Sequence, residues 1–273
     1  MTSSFLVRPE GRLAYDLAGD DGAPLVVAAH GMGANRHAFR ALTPALLRAG
    51  LRVASVDLRG HGESSPVWPR YDAEAVADDL LALVAHLGGP AVLVGSSISG
   101  AAVTIAAAQS PADVAGVVLV GATAIPQPMN PVLRVGFELV TRSPALWLAF
   151  YRSLYKAGRP EDYPADTATL RRQLREPGRM AALRRVLDPV EPHWTVRAAT
   201  VTCPALIVMG TRDPDFPDPA AQARAAADAF TAAEVDTMLV EGAGHYPFLE
   251  LPATVNPAIA DFAQRAQRLR TGS

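Results

Sequence analysis

Ser97 stands at the centre of Gly95-Ser96-Ser97-Ile98-Ser99-Gly100, between the apolar run 91–94 and the alanine-rich stretch that follows. A sharp strand-to-helix turn holds its apex in a strained, exposed conformation and requires small residues two positions to either side. For Ser97 these are Gly95 and Ser99; for Ser99 they would be Ser97 and Ala101, a poorer fit. An ordinary serine-rich helix cap is the other reading of the same residues. A serine hydroxyl is a weak nucleophile at neutral pH and needs a base within reach, itself oriented by an acid. His245, in Gly242-Ala243-Gly244-His245, follows the apolar run 235–240, and Asp213 follows 204–209 in the same way. Asp215 and Asp218 stand close behind Asp213, set apart by Pro214 and Pro217. Those prolines suit a turn, and Asp218 before Pro219 reads as a helix cap. Asp213 is the expected acid, with Asp215 as the alternative. His30-Gly31-Met32-Gly33 closes another apolar strand. Its glycines allow a tight loop, so the Met32 and Ile98 amides could form an oxyanion hole, with His30 bracing the loop. No H-x-x-x-H or cysteine spacing joins His30, His37, His61 and His245, so neither a metal nor a cofactor is expected.

The elements that must position these groups alternate along the chain. Strands are expected at 5–8, 11–17, 24–29, 51–56, 91–94 and 114–120, with helices at 36–48, 74–87 and 98–109. Near-continuous apolar strands separated by helices predict a mostly parallel sheet covered on both faces. The strand rhythm stops at Thr123. Residues 123–200 carry helical spacings, including an arginine-rich stretch at 170–187, and the sheet pattern resumes at 204–209 and 235–240 with helices at 220–230 and 252–269. The chain therefore divides into a core of 1–122 and 201–273 and a helical cap of 123–200, expected over the carboxyl edge of the sheet.

With these motifs the chain resembles the α/β-hydrolase superfamily along nearly its whole length. The resemblance rests on His30-Gly31-Met32-Gly33, on Asp57-Leu58-Arg59-Gly60-His61-Gly62-Glu63-Ser64, and on the elbow at Ser97. Gly210-Thr211-Arg212-Asp213 and Gly242-Ala243-Gly244-His245-Tyr246-Pro247 complete it. It implies an α/β fold in which Ser97, Asp213 and His245, in that chain order, form a catalytic triad. The segment 57–64 is then structural, shaping the turn beside the site. Relatives include esterases, lactonases, thioesterases, C–C bond hydrolases and cofactor-free haloperoxidases. Dehalogenases and epoxide hydrolases of this fold use an aspartate at the elbow, and Ser97 argues against both. The departure from the pattern is Ser99, where glycine is usual.

Composition bounds the rest. The 273 residues are 49% hydrophobic and 19% charged with a net charge of −2, which excludes a disordered chain and gives no general affinity for nucleic acid or anionic membrane. One cysteine, Cys203, makes no internal disulfide, and no signal peptide or membrane-spanning run is visible, so a cytoplasmic protein is expected. The partner is a small-molecule substrate; monomer and homodimer stay open. Phe137, Trp147, Phe150, Tyr151 and Trp194 are the candidate pocket residues and favour a partly apolar group. The expected activity is hydrolysis of a carboxylic ester, thioester or lactone through an acyl-enzyme. The alternatives are C–C bond hydrolysis or a secondary-metabolism tailoring reaction on the same triad, and a non-catalytic binding protein of the same fold.

Overall fold

The computed structural model describes residues 3–125, 131–186 and 194–272, so segments 126–130 and 187–193 of the expected cap lie outside the described residues. Eight strands form one sheet. A hairpin of β1 (Ser4–Arg8) and β2 (Gly11–Ala18) pairs antiparallel through β2 with β4 (Arg52–Val56). From there β3 (Leu25–Ala29), β5 (Ala91–Ser96), β6 (Val114–Val120), β7 (Ala205–Gly210) and β8 (Val235–Val240) continue in parallel. The order β1-β2-β4-β3-β5-β6-β7-β8 reverses its direction of winding at β3, where open α/β sheets gather their sites.

Alternation along each buried strand feeds two cores. Leu25, Val27, Leu93, Val117 and Ile207 face a layer formed by α2 (Ala73–Leu87), α3 (Ser99–Gln109) and α9 (Pro219–Ala229). Val26, Val94, Val118 and Val208 face the opposite layer, built from α1 (Thr43–Arg48) and α11 (Pro252–Thr271). Each such side chain stabilises the fold by about 1.5–3 kcal/mol relative to exposure, so a charge placed at Val94 would break the centre of the sheet. Local signals set the helix ends. Asp72 accepts from the Ala75 amide to start α2, and Gly88 closes it in the left-handed conformation; Asp218 caps α9 through the Ala221 amide.

Two expected helices are broken, each by a proline. The stretch 36–48 is a short 3₁₀ turn, Arg36–Phe39, followed by α1, because Pro44 lacks the amide that a continuous helix would use. The stretch 170–187 divides at Pro177-Gly178 into the end of α6 (Tyr163–Leu174) and α7 (Arg179–Arg185). Together with α4 (Pro131–Val140), α5 (Pro144–Ser153) and α8 (Trp194–Ala198), these form the helical segment between β6 and β7. Among the described residues no helix is long and apolar enough to cross a membrane.

Candidate active site

Ser97 sits on the turn between β5 and α3 with φ of +56°, the only positive φ outside glycine among the described residues. Such a conformation costs about 1–3 kcal/mol and persists only where the surroundings enforce it. Here the Ser97 amide donates to the Val120 carbonyl at 2.8 Å, and the Ser97 carbonyl accepts from the Gly100 amide at 2.9 Å. A methyl group on Gly95 would lie 2.4 Å from the Ser99 carbonyl, so the minus-two position must be glycine. The plus-two position tolerates a side chain. Ser99 is buried, and its Oγ donates to the His30 carbonyl at 2.6 Å.

The loop after β8 and the loop after β7 bring His245 and Asp213 together. His245 Nδ1 lies 2.7 Å from Asp213 Oδ2, and since a carboxylate can only accept, Nδ1 carries the proton and Nε2 of the neutral ring keeps its lone pair. Asp213 Oδ1 accepts from the Asp215 amide at 3.0 Å, which fixes the carboxylate from its other side. Asp215 Oδ2 stands 3.6 Å from the same Nδ1, but its side chain is a third exposed whereas that of Asp213 is fully buried. His245 is pushed up to about 9: burial opposes its charge, but the carboxylates of Asp213, Asp215 and Glu250 outweigh it. The ring passes beside the end of β6, where a methyl on Gly121 would come within 3.2 Å of it. Val120, which holds the Ser97 amide, is the preceding residue, so one strand end supports both the elbow and the imidazole.

His30 and His61 have another role. His30 Nδ1 donates to the Gly31 carbonyl at 2.7 Å, and His30 Nε2 accepts from the Leu58 amide at 3.1 Å. His61 Nδ1 donates to the Arg59 carbonyl, and its Nε2 accepts from the Gly33 amide at 3.0 Å. Both nitrogens of each ring are engaged with backbone, which leaves no lone pair for a metal. Burial pushes both pKa values down, His61 to about 3. Asp57 beneath them is fully buried, accepts from the Arg36 and Glu63 amides and pairs with the Arg36 guanidinium. These contacts hold the loop of 30–33 against the elbow. Neither the Met32 nor the Ile98 amide has a backbone acceptor among the described residues.

The helical segment is stitched to those loops at the carboxyl ends of the strands. Trp147 Nε1 donates to the Gly33 carbonyl at 3.0 Å, the Leu154 carbonyl accepts from the His245 amide at 2.9 Å, and Arg179 Nη1 donates to the Ser64 carbonyl at 2.6 Å. The five aromatic residues singled out in the sequence separate into three places. Phe137, Trp147 and Phe150 form one cluster, with ring centroids 5.3–6.5 Å apart, over the Gly33 loop. Tyr151 is buried instead in a tyrosine cluster with Tyr155, Tyr163 and Tyr246. Trp194 lies on α8, which packs on α3 and α9; its Nε1 donates to the Thr123 carbonyl and its ring faces Phe230.

Glu250, on α10 (Pro247–Glu250), has no counterpart among the residues that the sequence pattern singles out. Its carboxylate accepts from the amides of Lys156, Ala157, Gly244 and Tyr246 at 2.7–3.2 Å, joining the helical segment to both neighbours of His245. A glutamate five residues past a histidine carries no recognisable pattern, and only the packed loops reveal its use. Gln222 escapes the sequence pattern for the same reason: it reaches across from α9 to hold the backbone of Ala124 and Ile125. Asp213, Asp215 and His245 form the one group among the described residues whose ligand atoms lie within 4.8 Å of one another. Asp213 Oδ2 and His245 Nδ1 already bond each other, which leaves little donor capacity for a metal.

Comparison with known proteins bears on the family and the fold. Across 270 residues the chain is 28% identical to the dihydrolipoyllysine-residue acetyltransferase component of the acetoin cleaving system of Pseudomonas putida, which covers 93% of this chain and 68% of that protein. It is 39% identical to the bifunctional esterase/perhydrolase DCH of Acinetobacter calcoaceticus over 102 residues, 37% of each protein. Among solved structures, a thermophilic esterase from Thermogutta terrifontis superposes with a TM-score of 0.77 at 26% identity, covering 97% of this chain and 99% of that one. The profile of the alpha/beta hydrolase family matches residues 26–258, and with an eight-stranded, mostly parallel sheet of this order the chain belongs to that family.

Proposed function

We propose that this hydrolase cleaves a carboxylic ester, or a thioester or lactone, of a partly apolar small molecule through an acyl-enzyme on Ser97. The observation that carries this reading is a strained serine at +56° across a strand end from an imidazole bonded at 2.7 Å to a buried carboxylate. Ser97 Oγ attacks the carbonyl carbon while His245 Nε2 accepts its proton. The tetrahedral oxyanion takes hydrogen bonds from the Met32 and Ile98 amides. Asp213 holds the imidazole with Nε2 toward the serine and stabilises the imidazolium that forms. On collapse, His245 returns the proton to the leaving alcohol, thiol or ring oxygen. Water then attacks the acyl carbon by the same base, and Ser97 is regenerated. Phe137 and Phe150, half-buried against Trp147, supply an apolar wall for the acyl or alcohol group. The esterase likeness of two of the relatives supports the ester over a C–C bond, and the engaged nitrogens of His30 and His61 support a single base.

Ser97→Ala should lower kcat on a short p-nitrophenyl ester by about 10⁴-fold or more, because the covalent route is lost. A fluorophosphonate should label the unmodified protein stoichiometrically at Ser97. Retained activity in a folded Ser97→Ala protein would remove the serine from the chemistry, and failure of the native protein to label would favour a ligand-binding role.

A further inference from the structure

The elbow pattern has glycine where this chain has Ser99, yet the side chain is neither exposed nor idle. Its hydroxyl is buried and donates at 2.6 Å to the carbonyl of His30, a residue with no solvent exposure. That carbonyl opens the loop whose third residue is Met32. Ser99 is also the first residue of α3, one position after Ile98. The bond therefore ties together the two backbone segments that carry the Met32 and Ile98 amides. The two segments lie close, since a methyl on Gly31 would come within 2.9 Å of Ser97 Cβ: packing stops them from moving nearer, and the Ser99 bond opposes their moving apart. We propose that the Ser99 hydroxyl is a positioning group that sets the separation and aim of these two amides toward a developing oxyanion. It touches no substrate and acts through the His30 carbonyl.

Two considerations favour positioning over mere packing. A hydroxyl with one buried acceptor in reach is a directional constraint, whereas a methyl of similar size only fills space. Oxyanion donors, moreover, act at full strength only when aimed at where the charge develops, so a small displacement of the loop weakens the transition state more than the substrate complex. Loss of the hydroxyl should therefore lower kcat and leave KM nearly unchanged. The inference rests on the reading of Ser97, Met32 and Ile98 given above.

The test uses the full chain with Ser99→Gly and Ser99→Ala, which both remove the hydroxyl. Ser99→Ala keeps the helix-favouring Cβ, so it reports on the hydroxyl even if the glycine variant loses structure. The readouts are kcat and KM on a short p-nitrophenyl ester and the rate of phosphonylation by a fluorophosphonate, with circular dichroism as the measure of folding. Both variants should lose about tenfold in kcat and in phosphonylation rate, with KM within about twofold of the native value. Rates within about twofold of native in folded Ser99→Ala overturn the proposal, as does a normal rate in Ser99→Ala beside a slow one in Ser99→Gly, which would assign the effect to Cβ packing. Native protein that neither labels nor turns over ester overturns the underlying reading, and the proposal with it. Where the native protein labels, normal rates in Ser99→Ala count against the Ser99 proposal alone.

Discussion

His245 and the pair His30–His61 are all buried, yet their surroundings drive them in opposite directions. His30 and His61 stack edge to face with centroids 5.2 Å apart, and every ring nitrogen meets backbone. The nearest carboxylate, Asp57, lies 3.9 Å from His30 Nε2, but Arg36 neutralises it, so burial prevails and both rings stay uncharged. His245 meets Asp213 directly and Asp215 nearby; among the described residues neither carboxylate pairs with an arginine, and with Glu250 they overcome burial. One residue type is thus held as a neutral strut on one side of the elbow and kept chargeable on the other. What decides between them is whether the adjacent carboxylate has already been paired.

The pH dependence has opposite signs at the two places. His61 has its pKa lowered from 6.5 to about 3, so the folded chain binds fewer protons there; the stability this contributes is present above 6.5 and is lost as pH falls toward 3. His245 is raised from 6.5 to about 9, so its contribution is present below 6.5 and is lost as pH rises through 9. The proposed reaction needs the neutral imidazole. Activity on a short ester should therefore climb from neutrality to about pH 9, provided the substrate itself is stable there.

The contrast can be broken most severely at the acid. Asp213→Asn should lower kcat on a short ester by at least about a hundredfold, because the amide cannot hold the imidazole with Nδ1 protonated. A larger loss in folded Asp215→Asn would transfer the role of acid to Asp215. On the neutral side, His61→Ala leaves the buried Gly33 amide without its acceptor and should reduce unfolding free energy by about 1–3 kcal/mol in urea titrations. That deficit should shrink between pH 6.5 and 4, since the variant no longer has a histidine to charge on unfolding. An unchanged deficit across that range would mean that His61 is not held neutral. The smallest change sharpens the comparison. Asp215→Asn should cost less than about tenfold in kcat while shifting the acid limb of the pH–rate profile down from about 9, because one of the carboxylates raising His245 is gone. A limb that stays in place would mean that Asp215 does not raise His245.

Much of this was legible in the residues. Alternating apolar runs announced the strands, and the cap read at Asp218 placed the start of α9 within a residue. The elbow could be located because only small residues permit its geometry, a constraint that leaves a mark at fixed spacing. The helical segment was harder. Its helices show only that they are amphipathic, and an aromatic on an apolar face looks the same whether it walls a pocket or fills a core. Trp147, Tyr151 and Trp194 therefore looked alike, although one bonds the Gly33 loop, one is buried among tyrosines and one packs beneath Thr123.

The sequence by itself determined the parallel sheet, the order of serine, acid and histidine, and the turn that exposes Ser97, since each depends on periodicity or on local backbone sterics. Only the tertiary structure decided the partners of single polar atoms: Ser99 with the His30 carbonyl, Glu250 with four amides from two loops, and Arg36 with the carboxylate that would otherwise charge His30. Hydrophobic burial is non-directional and repeats with the period of the backbone, so it is written along the chain. A buried hydrogen bond or ion pair joins residues that only folding brings into contact, and no regular spacing in the chain records it.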